Sequence, residues 1–281
     1  MFDKDFLRGK RILITGGGTG LGAAMGRRFL TFGAELVICG RREAVLQETA
    51  QRLAKETGGK VTTLVCDVRD AAAVDAMMVR AFETAPFDVL VNNAAATFIA
   101  QTEHLSARAA DAILAPTLHG ALYCTMAAGK RWIEAKHTGV VLSILSTSTI
   151  TGRAFTVPSA IAKSGVLAMT KSLAVEWGPK GVRLVAIAPG PFPTPGASAN
   201  LRPEGRKAIL PEDLNPLGRV GQHEELADLA SFLISDRAAY INGEMVTIDG
   251  GAHLRTSGAE DLLGWSEAQW EAHRARLKSQ K

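Results

Sequence analysis

Short runs that are almost wholly apolar recur along the chain, alternating with longer stretches in which apolar residues return every three or four positions. The short runs are RILIT (11–15), ELVIC (35–39), KVTTLVC (60–66), FDVLVN (87–92), GVVLSIL (139–145), GVRLVAIA (181–188) and EMVTIDGG (244–251). Most are rich in β-branched residues and bounded by turn formers, so they predict strands. GLGAAMGRRFLTFG, EAVLQETAQRLAKETG, DAAAVDAMMVRAFE, two segments across 103–135, a stretch opening at VPSAIAKSG (157–165) and ELADLASFLIS carry the helical period between them. Strands apolar on both faces belong to a parallel sheet covered by helices on both sides. The pattern therefore predicts one α/β domain over residues 1–281, a doubly wound parallel sheet of about seven strands with helices on both faces. No linker or internal repeat divides it. Two segments stand outside the alternation: the Pro/Gly-rich 189–218, long enough to act as a substrate lid, and the tail 252–281.

Composition narrows the classes. Hydrophobic residues make up 47% and charged residues 21%, a globular rather than a disordered balance. No apolar run reaches the roughly eighteen residues of a membrane helix, and the N-terminal MFDKDFLRGK lacks the apolar stretch of a signal peptide. A cytoplasmic protein without membrane contact is expected. Cys39, Cys66 and Cys124 are widely spaced in apolar contexts and read as reduced core thiols. The histidines show no ligand spacing, so no metal is expected. The net charge of +4 suits an anionic ligand but is spread along the chain, which argues against nucleic acid.

The first predicted strand runs into TGGGTGLG (15–22), with Gly16, Gly20 and Gly22 spaced G-x-x-x-G-x-G directly before a helical stretch. A backbone that approaches a pyrophosphate closely has no room for a Cβ, and a helix N-terminus offers the phosphates free N–H groups. Strand–turn–helix is the context such a loop requires. Thr15, Gly16, Gly18, Thr19, Gly20, Leu21 and Gly22 are accordingly candidate cofactor residues of a Rossmann-type fold. An NAD site carries an acid about 20 residues further on to hold the ribose 2′-OH. VICGRRE (37–43) has none at the strand end and places Arg41 and Arg42 just after it. A guanidinium there pairs with a 2′-phosphate, which predicts NADPH; one of the two also reads as a solvated residue opening the next helix.

CDV (66–68), NNAA (92–95) and PG (189–190) follow that loop in order, and on this set the chain resembles the short-chain dehydrogenase/reductase family over nearly its whole length. The resemblance implies that Asp67 and Val68 border the adenine and that Asn93 and Ala94 lie along the cofactor. It also implies that Lys163 bonds the nicotinamide ribose, and that Pro189, Gly190, Pro191 and Phe192 close over the nicotinamide. The family's usual active tyrosine, four residues before the lysine, is Ser159 here. Its supporting serine is Ser146, and the position of its helix asparagine falls on Thr117. Tyr123 and Tyr240, the only tyrosines, lie elsewhere. A serine hydroxyl beside an ammonium does not replace a phenol of pKa near ~10, so ordinary carbonyl reduction is disfavoured.

One branch of the family is known for this substitution. P-S-A-x-A-K, CDVRD (66–70), FIAQTEHLS (98–106), KSLAVEWG (171–178), APGPFPTPGA (188–197) and the tail SGAEDLL…EAQWE resemble the 2,4-dienoyl-CoA reductases, particularly the mitochondrial type. That resemblance implies NADPH-dependent reduction of a dienoyl- or enoyl-CoA thioester in unsaturated fatty acid β-oxidation, by a homo-oligomer, commonly a tetramer. Hydride goes to the far end of the diene, and donors are needed where charge develops on the thioester oxygen. Arg69, Phe98 and Ser106 match substrate-contacting positions, Arg69 toward the anionic CoA end and Phe98 in the acyl pocket. Ser159 and Lys163 would anchor the ribose and substrate region. The branch's loop tyrosine is Ser148 here, and its asparagine is Thr97. The branch's lid arginine falls on Asn200, with Arg202 two residues on. Ser148 and Thr97 can donate hydrogen bonds to an enolate oxygen, and they read equally well as turn formers. Lys163, Ser159, Ser146, Ser148 and Thr97 are thus the catalytic candidates. Leu262, Leu263, Trp265 and Trp270 read as packing anchors of the tail. Two alternatives stay open: a reductase of another conjugated or carbonyl substrate, and an NADPH-binding protein without turnover.

Overall fold

Seven strands form one sheet in the computed structural model, which describes residues 3–196, 201, 205, 215–255 and 258–279. They are β1 (Arg11–Thr15), β2 (Glu35–Gly40), β3 (Val61–Val65), β4 (Val89–Asn92), β5 (Gly139–Ile144), β6 (Val182–Pro189) and β7 (Met245–Ile248). Their order is β3-β2-β1-β4-β5-β6-β7 and every neighbouring pair is parallel. The helices are α1 (Gly20–Thr31), α2 (Glu43–Thr57), α3 (Ala71–Thr84), α4 (Ala107–Leu114), α5 (Gly120–Glu134), α6 (Ser148–Thr151), α7 (Val157–Trp177), α8 (His223–Ile234) and α9 (Glu267–Ser279).

Side chains alternate across the sheet because the strand period is two. Ile12 and Ile14 of β1 therefore join Leu36, Ile38, Val89, Val91, Val185 and Ile187 on one face, under α1, α2 and α8. Leu13 joins Val37, Leu90, Val141 and Leu184 on the other, under α3, α5 and α7. Trp132 anchors that second core. It is fully buried, its indole N–H donates to the Phe87 carbonyl at 2.6 Å, and Phe87 meets its ring edge-on. Both faces are covered, as the continuous apolar runs predict.

The sequence pattern predicts two helical segments across 103–135. In the structure α4 runs into α5 through a π-helical stretch, Ala115–His119. Pro116 has no N–H to donate into the α ladder, and a π turn absorbs the mismatch. The short helix α6 is an addition to the predicted pattern. Among the described residues, no helix is long and apolar enough to cross a membrane. Of the segment predicted as a lid, 197–200, 202–204 and 206–214 lie outside the described residues, Asn200 and Arg202 among them.

Strand order reverses between β1 and β4: the chain winds from β1 outward to β2 and β3, then returns to β4 on the other side. Loops leaving the C-terminal ends of β1 and β4 consequently diverge and leave a crevice.

Candidate active site

A cavity of about 560 Å³ fills that crevice and continues past the end of β5. Its walls are the loop after β1, the ends of β2 and β3, the segment after β4, the β5–α6 turn and the first turns of α7.

The glycine loop is shaped by close approach. Gly16 has φ +65, where L side chains are strained. A Cβ on Gly22 would stand 2.5 Å from the Gly16 carbonyl oxygen and 2.6 Å from Asn93 Nδ2. Gly16, Gly18, Thr19, Gly20 and Leu21 line the cavity, whereas Thr15 and Gly22 lie behind that surface. Thr15 is 2% exposed and its hydroxyl is fully engaged. It accepts from the Asn93 and Ala94 amides, both at 3.0 Å, and donates to the Val91 carbonyl at 3.3 Å. The Asn93 side-chain amide donates to the Thr15 and Gly16 carbonyls at 3.0 and 3.2 Å. Thr15 and Asn93 thus tie β1 to β4 and fix the shape of the crevice; the backbone of Asn93 and Ala94 faces the cavity itself.

The half of the cavity at the ends of β2 and β3 carries four charges: Arg41, Arg42, Asp67 and Arg69. Arg41 and Arg42 are both exposed. Arg69 grips the Asp67 carboxylate with Nε at 2.9 Å from Oδ1 and a terminal N–H at 2.5 Å from Oδ2. Those hydrogen bonds hold the Asp67 carboxyl below its ordinary value, with the Arg69 and Arg41 charges adding to the effect and burial opposing it. Val68 lines the cavity beside this pair, and so do Cys39 and Cys66 at the two strand ends. All three cysteines are buried, and burial pushes the Cys66 thiol up to about 11.

The other half is lined by hydroxyls: Thr97, Ser146, Ser148, Thr156 and Ser159. Thr97 is presented by the segment after β4, which Thr117 holds from the π stretch. Its buried hydroxyl accepts from the Ala96 amide at 3.0 Å. Ser148 opens α6 and its amide donates to the Ser146 hydroxyl at 3.3 Å. Ser159 and Lys163 lie one turn apart on α7 and share a face. Lys163 also falls on the buried stripe Lys163–Val166–Thr170–Ala174–Trp177. Its Nζ donates to the Ile144 carbonyl at 2.5 Å, and burial brings its pKa down to about 8.

Beyond β6, Pro189 and Phe192 border the cavity while Gly190 and Pro191 do not. Gly190 is pressed against Asp249, where a Cβ would come within 2.5 Å of the Asp249 Cβ. Phe98 is half-buried and Ser106 exposed; neither lines the cavity. The Ser106 hydroxyl caps α4 by accepting from the Ala109 amide at 3.2 Å. Arg153, on the turn between α6 and α7, lines the hydroxyl-rich half and is not among the residues singled out from the sequence. No motif marks it; only its place between Ser148 and Ser159 could have pointed there. Ala112 and Pro116 close the same wall.

Residues 16–253 match a family model described as enoyl-(acyl carrier protein) reductase. A Caenorhabditis elegans protein named probable 2,4-dienoyl-CoA reductase 3 is 40% identical over 272 residues, covering 94% of this chain and 88% of that protein. A Bacillus subtilis protein named probable 2,4-dienoyl-CoA reductase is 39% identical, covering 87% and 97%. Among solved structures, a short chain dehydrogenase from Bacillus anthracis superposes with a TM-score of 0.80 at 39% identity, covering 89% of this chain and 99% of that one.

Proposed function

The chain belongs to the short-chain dehydrogenase/reductase family, and from that premise we propose that it is an NADPH-dependent reductase of 2,4-dienoyl-CoA or 2-enoyl-CoA thioesters. The observation that carries the reading is the substrate half of the cavity: hydroxyls around a buried lysine, with a serine at 159 where a carbonyl-reducing site needs a phenol. Such a site can place hydrogen-bond donors at a thioester oxygen that turns anionic, and reduction of a conjugated C=C bond asks for that. The names of the relatives from Caenorhabditis elegans and Bacillus subtilis support the same substrate class.

The residues present fit a nicotinamide dinucleotide. The loop glycines leave a cradle that a Cβ at Gly22 would disrupt, and the N-terminus of α1 opens onto it. NADPH, when bound, supplies the hydride. Arg41 and Arg42 are assigned to its 2′-phosphate, Asp67 and Val68 to the adenine side, and Asn93–Ala94 to its length. Lys163 and Ser159 are assigned to the nicotinamide ribose, with Pro189 to Phe192 over the ring. Ser148 and Thr97 hold the thioester oxygen, and Ser146 positions Ser148 through the amide contact. Arg69 attracts the CoA phosphates once it lets go of Asp67, Phe98 is assigned to the acyl pocket and Ser106 to a substrate contact outside the cavity wall, and 189–218 is assigned as the lid. Family analogy makes the working form a homotetramer, and the free buried cysteines support a reducing compartment such as the cytoplasm.

The test is oxidation of NADPH, followed by absorbance, with a medium-chain 2,4-dienoyl-CoA and the matching 2-enoyl-CoA, NADH being run beside it. Turnover with a thioester, lost in Lys163→Ala, is the expected result. NADPH binding without turnover of either thioester would reject the reading.

A further inference from the structure

Adding hydride to a dienoyl thioester leaves an extended dienolate that must take a proton at carbon; the inference below rests on that reading of the substrate. The substrate half of the cavity offers few acids. Thr97, Ser146, Ser148, Thr156 and Ser159 are alcohols, and the charged groups among them are Arg153 and Lys163. Among the described residues lining the cavity there is no tyrosine or histidine, and the one carboxylate, Asp67, is gripped by Arg69 at the adenosine end. Neither an alcohol nor a guanidinium releases a proton near neutral pH. The ammonium can.

Lys163 is placed for that task. It sits on the buried stripe of α7 yet lines the cavity, one turn after Ser159 on the same face. An ammonium carries three N–H donors, and one is fixed by the Ile144 carbonyl at 2.5 Å. That bond holds the head group at the end of β5 and leaves two donors for bound ligands. We propose that Lys163 is the general acid of this enzyme, donating its proton to a carbon of the dienolate. The N–H bond breaks, the enolate electron pair becomes the new C–H bond and the thioester carbonyl re-forms. The neutral amine then takes a proton back from water.

Burial lowers the pKa of Lys163 to about 8, and no ionised side chain of the packed elements α4, α5, α6, β6 or the 115–119 stretch contributes to that shift. Arg153, on the turn before α7, is the nearest charged group along the chain that lines the same half. The acid form is present below about 8, so protonation should fail as the pH rises through that value.

Three measurements test the proposal on the full chain. The first is the pH profile of kcat with a 2,4-dienoyl-CoA in H₂O and D₂O. The second is the same profile for Lys163→Arg, which keeps a cation for the ribose but cannot release a proton. The third, independent of turnover, is a titration of ¹³Cε-labelled lysine by NMR, with Lys163 assigned by its absence in the variant. Expected are an alkaline limb near 8 with a solvent isotope effect, a matching NMR midpoint, and a Lys163→Arg kcat lower by about 10²–10⁴-fold without the limb. NADPH affinity should change far less. An unchanged limb in Lys163→Arg, or an NMR midpoint at the ordinary lysine value, overturns the proposal while leaving the substrate reading intact. If Lys163→Arg does not fold, Lys163→Gln supplies the NMR assignment, and the agreement or disagreement of the wild-type limb with that midpoint decides. No turnover of any dienoyl thioester at any pH overturns the reading and the proposal with it.

Discussion

Thr15→Val isolates the lock between β1 and β4. Valine matches threonine in shape, so packing is kept while Oγ1 is removed. That oxygen accepts from the Asn93 and Ala94 amides at 3.0 Å each, at a position 2% exposed. A buried donor left without an acceptor costs about 1–3 kcal/mol, so two such donors set an upper range of about 2–6 kcal/mol. Asn93 and Ala94 border the cavity and water can reach their amides from that side, which brings the expected loss to about 2–3 kcal/mol. At about 2–4 °C per kcal/mol, the midpoint of thermal unfolding should fall by roughly 4–12 °C. Thr15→Ser keeps the oxygen and loses one methyl group, about 0.8 kcal/mol. The assay is urea unfolding of wild type and both variants, with NADPH dissociation constants measured by nicotinamide fluorescence on the same samples. Weakened binding in valine but not serine would show that the lock shapes the cofactor surface. A Thr15→Val protein within about 0.5 kcal/mol of wild type, the level of an ordinary surface change, would refute the reasoning.

Two further outcomes are expected. Arg41→Ala should remove a charge-assisted hydrogen bond worth about 1.5–3 kcal/mol and weaken NADPH binding by roughly 10- to 150-fold, leaving NADH unchanged; the ratio of the two dissociation constants, with Arg42→Ala alongside, shows which guanidinium holds the phosphate. Glu225 is held down to about 2 by the Arg219 hydrogen bond and by the Gln222 amide of the α8 capping box. Because its folded value is depressed, its contribution is present above its ordinary value of 4.5 and is lost as the pH falls toward about 2. Glu225→Gln should flatten that part of the acid unfolding curve, measured by circular dichroism.

The fold was legible because burial on both sheet faces leaves continuous apolar runs, and residues 11–15 and 35–39 show this at its clearest. The π stretch was not. Pro116 announces a break, but whether the chain stops, kinks or absorbs an extra residue depends on what packs against it. The site divides in the same way. Glycine spacing points to a backbone that approaches a pyrophosphate, whereas the close approach at Gly22 is to the chain's own Gly16 carbonyl and Asn93 side chain. Residue type alone could not reveal that the Thr15 hydroxyl and the Asn93 amide face inward and serve the scaffold. Ser106 carries a local signal, a serine just before a helical stretch, that marks a cap. The burial of Lys163 was also encoded, since the spacing of Val166, Thr170, Ala174 and Trp177 continues from it on one face.

That stripe bears on the choice between an enzyme and a cofactor-binding protein without turnover. A lysine in a buried stripe is unfavourable to the fold: desolvation disfavours its charged form, and its pKa of about 8 is the measure of that. A methionine or leucine would fill the same place on α7 without that cost. Binding the ribose requires a hydrogen-bond donor, and a neutral polar side chain could supply one. A cation whose proton is held loosely near neutral pH adds something a passive site does not need. Ser148 and Ser159 remove the phenol and leave that lysine as the near-neutral acid among the described residues of the substrate half. On the proposal above, the proton chemistry has moved from a tyrosine to the lysine that would otherwise assist it.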